Sequence, residues 1–283
     1  VIRAPGFDSP DNARYRRWKR WVAEPKAARA AGMVFLEGAH LVEACLDACG
    51  DGALAPPAVV LLRASAASRP SLTELSRRLD EALALPDVLF DRLSPVAGDN
   101  GILAFVPRER PVRAPALAQP PRGTGPRFEI WLDGVQDPGN VGTCIRSAAA
   151  FGAARVVLGR GSADPWSARC LRSGMGGQFR VPVHEVDDLG IAATRHPGPV
   201  IGLDASGDAT IESLTGQAAA DDQAIAWVFG AEGSGLSPAL AGAVSRLARI
   251  TMPGHAESLN VAAAVAIVCY AQQRTLAASE QRP

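Results

Sequence analysis

Asn140, Arg146, Glu232, Ser258 and Asn260 are the side chains of this sequence best placed for chemistry, each in or just after a Gly-rich stretch. The stretches are GVQDPGNVGTCIRSAAAFGA from Gly134, VFGAEGSGLS from Val228 and ITMPGHAESLNVAAAVAIVCYA from Ile250. A turn between a strand and a helix gathers free backbone N–H groups and side-chain donors around one point, where they can hold a ligand. Arg146 lies six residues after Asn140, nearly two helical turns on, among Ala148, Ala149 and Ala150. On so narrow a helix a guanidinium can lie close against a phosphate or carboxylate, and a surface salt bridge is the alternative. Asn140 reads as the cap of that helix. Glu232 accepts hydrogen bonds or fixes its loop, and a carboxylate at a helix start is the alternative. Ser258 and Asn260 precede a helix, Val261 to Tyr270, that is apolar on every face. Such a helix is expected to be buried all round or pressed against another subunit, and its apolar run is too short for a bilayer.

These residues need strands and helices to bring them together. Asp11 to Ala31 reads as one helix, MVFLEG as a strand and AHLVEACLDA as a helix. AVVLLR from Ala58, SLTELSRRLDEAL from Ser71, DVLF from Asp87 and GILAFV from Gly101 complete a small α/β unit, with DVLF taken as a strand. Pro107 to Pro126 carries six Pro and reads as an exposed linker. The expected organisation is thus an N-terminal unit over 1–106, a linker over 107–126 and a second unit over 127–283. In the second unit, FEIWLD, a helix from about Val141, RVVLG, VPVHEV, PVIGLD, AIAWVFG and RITM alternate as in an α/β domain with a mostly parallel sheet. Ligands bind outside the carboxyl ends of such strands, so the loops after Asp133, Phe229 and Met252 are expected to meet at one site.

Several chemistries are excluded or weakened. The glycines at 230, 233 and 235 run GxxGxG rather than as a dinucleotide fingerprint, and no GK[ST] occurs, which removes a P-loop. His40, Cys45 and Cys49 lack a fourth partner for zinc, so no metal is expected. Five scattered Cys in apolar surroundings suit buried, reduced thiols and a cytoplasmic location. No signal peptide or transmembrane run is read, and the chain opens on Val1 without an initiating Met.

The formal net charge of zero hides an asymmetry, with 17 Lys/Arg against 14 Asp/Glu in residues 1–126 and 12 against 15 in the rest. The excess gathers at Arg14, Arg16, Arg17, Lys19, Arg20, Lys26 and Arg29, interleaved with Tyr15, Trp18 and Trp21. Basic groups attract phosphates and aromatic rings can stack on bases, which makes this a candidate nucleic-acid contact. A solvated helix face whose Trp residues pack inward is the alternative.

Taken in order, the three loops resemble the motifs of the SpoU, or TrmH-like, branch of the SPOUT RNA methyltransferases. Asp137, Pro138, Asn140 and Arg146 match the first motif; Gly230, Glu232, Gly233, Gly235, Leu236 and Ser237 the second; Met252, Gly254, Ser258, Leu259, Asn260 and Val261 the third. ARCLRSGMGGQFRVPV from Ala168 is similar to a further family segment, with Ser173 and Gly174 where Ala-Ser is usual. The resemblance covers roughly residues 128–275 well and the front unit more loosely.

That resemblance implies an α/β SPOUT domain with a deep C-terminal trefoil knot, preceded by a smaller α/β substrate-binding domain, in a homodimer joined through the C-terminal domain, with no membrane. The implied reaction is methyl transfer from S-adenosylmethionine to a ribose 2′-hydroxyl in structured RNA, ribosomal rather than transfer RNA. The implied catalytic residues are Arg146, Asn140, Ser258, Asn260 and Glu232. The implied cofactor contacts are Phe229, Gly230, Glu232, Gly233, Ile250, Met252, Gly254, Ser258 and Leu259, with Gly230 and Gly254 permitting close approach. RNA contacts are expected at Arg14, Arg16, Arg17, Lys19, Arg20, Arg146, Arg169 and Arg172. A guanidinium holds its proton, so Arg146 is expected to bind phosphate and stabilise an alkoxide rather than act as base. An RNA-binding or assembly protein without catalysis is the competing reading, and a dinucleotide-dependent oxidoreductase a further one.

Overall fold

The computed structural model describes residues 9–50, 55–79, 81–94, 101–108, 128–220 and 224–280. The chain divides into two compact units, Val1–Arg110 with Trp166–Leu171, and Pro111–Pro165 with Arg172–Pro283. Apart from Pro107 and Arg108, the Pro-rich stretch read as a linker lies outside the described residues.

The first unit holds a four-stranded sheet of β1 (Met33–Glu37), β2 (Val59–Arg63), β3 (Leu83–Leu85) and β4 (Ile102–Pro107), in the order β1-β4-β2-β3. β4 runs antiparallel to both neighbours, and β2 is parallel to β3. Its helices are α1 (Ala13–Ala23), α2 (Pro25–Ala30), α3 (Ala39–Gly50), α4 (Pro70–Arg77) and α5 (Asp87–Asp91). The single helix expected over 11–31 is two, because Pro25 has no N–H to continue α1 and instead starts α2 as its first residue. DVLF is helix α5 rather than a strand; the strand is the preceding Leu83–Leu85, and α4 ends at Arg77, short of the Leu83 at which SLTELSRRLDEAL stops. Tyr15 and Trp18 are buried with Leu61, Leu85, Phe90 and Phe105, and Trp21 packs against the same cluster.

The second unit is a seven-stranded sheet in the order β7-β6-β5-β10-β8-β11-β9, parallel at every recorded pair. Its strands are β5 (Phe128–Leu132), β6 (Arg155–Leu158), β7 (Val183–Glu185), β8 (Val200–Leu203), β9 (Ala209–Thr210), β10 (Ile225–Phe229) and β11 (Arg246–Arg249). Every residue of β5, β6 and β10 is buried, as expected of parallel strands covered on both faces. The helices are α6 (Pro138–Ala150), α8 (Leu189–Thr194), α9 (Ile211–Ala220), α10 (Pro238–Ala241) and α11 (Val261–Glu280), while α7 (Ala168–Gly174) divides between the two units after Leu171. Trp131, Val157, Ala226 and Val228 of the sheet meet Leu189 and Ala192 of α8 and Leu240 of α10 in one core layer. α11 packs against α6 and α9, and its buried Gln272 accepts a hydrogen bond from Trp227 Nε1 at 3.1 Å.

α11 departs from expectation in two ways. It extends to Glu280, and Val261–Ala278 is long and apolar enough by composition to cross a membrane, so length alone does not exclude that role. It also has a dry side and an open side: Val261, Val265, Val268 and Cys269 are buried, whereas Ile267 and Tyr270 are exposed. Burial pushes the Cys269 thiol up to about 12, an inert group.

A charged cluster lies inside the sheet near the start of β5 and β6. The Glu129 carboxylate takes Arg155 Nη2 at 2.6 Å and Trp131 Nε1 at 2.8 Å, with His196 Nε2 at 3.4 Å. Burial alone would raise the Glu129 pKa, but hydrogen bonds from His196 and Arg155, with their charges, outweigh it and hold the carboxyl below its ordinary value.

Candidate functional site

The three Gly-rich loops meet at the carboxyl ends of β5, β10 and β11, where a parallel sheet places its ligands. After β5, the Asp133 N–H donates to Phe229 O at 2.8 Å, and its carboxylate receives the Ser237 N–H at 2.6 Å. The first loop is thereby tied to the exit of the second. Asp137 then caps α6, accepting the Asn140 N–H at 2.9 Å, with Pro138 at the first helical position. The cap is therefore Asp137 and not Asn140, whose side chain is released for another task.

That task is a junction of all three loops. Asn140 Nδ2 donates to Glu232 Oε1 at 2.6 Å, and Asn260 Nδ2 reaches both Asn140 Oδ1 at 3.1 Å and Glu232 Oε1 at 3.2 Å. Asn260 Oδ1 meanwhile accepts the N–H groups of Ala262 at 2.9 Å and Ala263 at 3.4 Å, capping α11. The amide orientations follow from this pattern. A carboxylate only accepts, so Asn140 must present its NH2 to Glu232 and its oxygen to Asn260; Asn260 must present its oxygen to the helix. Of the two roles weighed for Glu232, the structure supports the acceptor that fixes the loop.

The second loop closes on itself. Ala231 and Gly235 exchange backbone hydrogen bonds at 3.0 and 2.9 Å, and Gly233 and Gly235 have φ of +88° and +68°. A Cβ on Gly230 would stand 2.2 Å from the Gly235 carbonyl carbon. Gly230 is thus required by the loop's own closure, whereas a Cβ on Gly254 would meet nothing within 4 Å.

Arg146 stands exposed on α6, and among the described residues no hydrogen bond or ion pair is recorded for its guanidinium. Its backbone is gripped from the side: a Cβ on Gly177 would come within 3.1 Å of Arg146 Cα. The 3-10 turn Gly177–Phe179 therefore lies directly on α6 at this residue. Ser173, whose displacement from the family pattern left its role open, donates from Oγ to Pro138 O at 3.3 Å, in the first turn of α6. Neither contact was read from the sequence; the glycines around Met175 were the available signal.

Beside the junction is a pocket of about 150 Å³ lined by Leu203, Asp204, Ala205, Ile250, Met252, Ser258, Leu259 and Ala264. Four of the expected cofactor residues, Ile250, Met252, Ser258 and Leu259, line it. Phe229, Gly230, Glu232, Gly233 and Gly254 do not: Phe229 is buried at its strand end, with its carbonyl engaged by Asp133, and Glu232 points into the three-loop junction. β11 ends at Arg249, three residues earlier than RITM implied, which frees Ile250 and Met252 to form a wall. Leu203, Asp204, Ala205 and Ala264 were missed. The group fits an adenosyl ligand in kind, with six apolar side chains for an aromatic base and two polar ones for hydroxyls.

Residues 127–270 match the SpoU rRNA Methylase family. The chain belongs to that family. This SpoU chain is 30% identical over 273 residues to the 23S rRNA (guanosine(2553)-2′-O)-methyltransferase RlmP of Bacillus subtilis, covering 93% of this chain and 97% of that one. It is 30% identical to an uncharacterised tRNA/rRNA methyltransferase of Mycobacterium marinum, over 95% of this chain and 87% of the relative. In fold it resembles the SpoU methyltransferase AviRb of Streptomyces viridochromogenes in complex with AdoMet, with a TM-score of 0.78 at 23% identity, covering 93% of this chain and 97% of that one. A TrmH-family protein of Porphyromonas gingivalis gives 0.74 at 27%, covering 93% and 98%. Family membership removes the oxidoreductase reading.

The remaining predicted side chains fall outside this junction. Arg169 and Arg172 are exposed on α7, and Arg14, Arg16, Arg17, Lys19 and Arg20 are exposed on α1. Tyr15 and Trp18, by contrast, are core residues at 1% and 0% exposure and are not available to stack on bases. The inward-packing alternative holds for the rings; Arg14 and Arg17 lie over Trp18 and Trp21, each 5.4 Å from the ring centre. Among the described residues no three side chains form a metal site, and four of the five Cys are buried and all are free thiols.

Proposed function

We propose that this SpoU chain transfers a methyl group from S-adenosylmethionine to the 2′-hydroxyl of a ribose in structured RNA, 23S ribosomal RNA in preference to transfer RNA. The observation that carries the reading is the Asn140–Glu232–Asn260 junction, standing on the same helix as an exposed Arg146 and beside the pocket of Met252, Ser258 and Leu259. The length-spanning similarity to a 23S rRNA methyltransferase supports the ribosomal substrate. When bound, S-adenosylmethionine supplies an electrophilic methyl carbon. The protein's part is to hold an attacking oxygen in line with it and to ease loss of the hydroxyl proton.

Leu203, Ile250, Met252 and Leu259 form apolar walls for the cofactor, and Ser258 faces the same space. Arg146 binds the phosphate beside the target ribose and stabilises the developing alkoxide. The proton leaves to a phosphate oxygen or water, since a guanidinium does not take the role of base. Asn140, Glu232 and Asn260 act on geometry: they lock the first turn of α6 to that of α11, so that Arg146 and Ser258 keep a fixed relation. Ser173 and Gly177 brace α6 from the other side.

The wider arrangement belongs to the same reading. Residues 1–106 form the RNA-binding domain, 107–126 a linker and 127–283 the catalytic domain. α11 and the segment leading to it form a deep trefoil knot. Two copies pair through exposed Ile267 and Tyr270, with Phe151 edge-on to Tyr270 at 6.1 Å between ring centres, a patch that suits a homodimer of a cytoplasmic protein. The outward arginines and Lys19 of α1 hold RNA phosphates. Deleting α1 is not the test of this, because it would take Tyr15 and Trp18 from the core; replacing Arg16, Arg17 and Arg20 by Gln is.

Methyl incorporation into ribosomal RNA from cells lacking the gene, followed by mapping of 2′-O-methyl sites, tests the proposal. One ribose in 23S rRNA is expected to be marked. A mark in transfer RNA alone contradicts the substrate, and binding of RNA without any methyl transfer establishes the non-catalytic alternative.

A further inference from the structure

We infer that Asp204 reads the ribose of the cofactor, accepting both hydroxyls of its cis-diol on one carboxylate; this rests on the pocket being that of S-adenosylmethionine. Asp204 is the one charged side chain among the residues that line the pocket, and Ser258 is the only other polar one. The carboxylate is set in a braced turn just past the end of β8. Asp204 N donates to Ala248 O at 2.9 Å, and Gly207 N returns to Asp204 O at 3.1 Å. A Cβ on Gly207 would be 2.6 Å from the Ala248 carbonyl carbon, so only glycine lets the turn lie flat on β11. Ser206 donates to Oδ1 twice, from its backbone at 2.8 Å and from Oγ at 2.5 Å. Those bonds, side chain first, hold the Asp204 carboxyl below its ordinary range and so keep it an ionised acceptor.

Oδ2 is left without a recorded partner among the described residues. The nearby cation is engaged elsewhere, since Arg249 Nη1 donates to Gly207 O at 2.6 Å. A preorganised carboxylate that only accepts, in a mostly apolar pocket, is complementary to a group offering two adjacent O–H donors. The adenine then lies on the aliphatic walls. Attraction of the carboxylate to the ligand's ammonium or sulfonium is the competing use of the same charge, and the two are separable.

The test is calorimetry of the full chain with S-adenosylhomocysteine and with its 2′,3′-dideoxy analogue, which keeps the ammonium. Asp204→Asn is expected to weaken S-adenosylhomocysteine binding by about tenfold, the effect of hydrogen bonds to a charged group, while leaving the dideoxy analogue's affinity unchanged. Ser206→Ala, which loosens the carboxylate, is expected to give a smaller loss with the same selectivity. Thermal unfolding of each variant checks the fold. Equal weakening of both ligands by Asp204→Asn overturns the inference in favour of charge attraction, and no weakening of either overturns it outright. A wild-type chain that binds no S-adenosylhomocysteine fails the cofactor reading itself, and this inference with it.

Discussion

Two polar networks occupy opposite ends of the same parallel sheet. Near the start of β5 and β6, Arg155, Trp131 and His196 converge on the buried Glu129 carboxylate. Past the carboxyl ends, Asn140, Glu232 and Asn260 make an equally connected set that stays exposed to solvent. The first is closed off from solvent. The second leaves Arg146 and Ser258 open beside it. Connectivity therefore does not mark a site; position at the carboxyl edge and residual donors do.

Substitutions should separate the two. The largest effect is expected at Glu129→Gln, which leaves Arg155 buried without its counter-charge; denaturant unfolding should show a loss of about 3–5 kcal/mol. Activity per folded molecule should hold. Arg146→Lys is the converse. It keeps a charge and loses the planar fork, so turnover should fall by about 100-fold, as for loss of one oxyanion donor, with the unfolding midpoint unmoved.

A smaller effect is expected at Asn260→Asp, which replaces a donor by a second carboxylate beside Glu232. The helix cap survives, because an oxygen still faces Ala262 and Ala263. The junction does not, and kcat/KM should fall by about tenfold, consistent with one lost hydrogen bond to a charged group. An unchanged rate would show that the junction is only a loop staple.

How far these networks could be read beforehand differs for a physical reason. The carboxyl-end residues were legible because strand-to-helix turns carry Gly, Pro, Asn and Ser at fixed offsets, and Asn140, Glu232 and Asn260 all stand in such turns. Their hydrogen bonds to one another were not, since Asn140 read as a cap until Asp137 took that position. Leu203 and Asp204 were missed because β8 lies between β10 and β11, a crossover that sequence order does not announce. The buried cluster was missed because Glu129 sits inside an apolar strand and its partners are 26 and 67 residues away, with no local pattern joining them. Tyr15 and Trp18 stood between two readings: their basic neighbours suggested a contact surface and helical spacing an inward face, and the rings are turned inward.

The gentlest probe is pH. Burial, aided by the Arg155 charge and opposed by Glu129, lowers the His184 pKa from its ordinary 6.5. Below pH 6.5 the unfolded chain takes a proton there that the folded one resists, so stability falls as pH drops. Glu129 adds a second loss as pH falls below its ordinary 4.5, because its folded value is also depressed. Thermal midpoints should be steady around neutrality and descend in these two stages as the pH is lowered.

The most direct measurement is single-turnover methyl transfer to ribosomal RNA by the wild-type chain and by Arg146→Lys, with RNA affinity and unfolding midpoint measured in parallel. The account predicts one 2′-O-methyl ribose in 23S rRNA for the wild type and about 100-fold slower transfer for the variant at unchanged stability. Near-full turnover by Arg146→Lys with normal RNA affinity would contradict it.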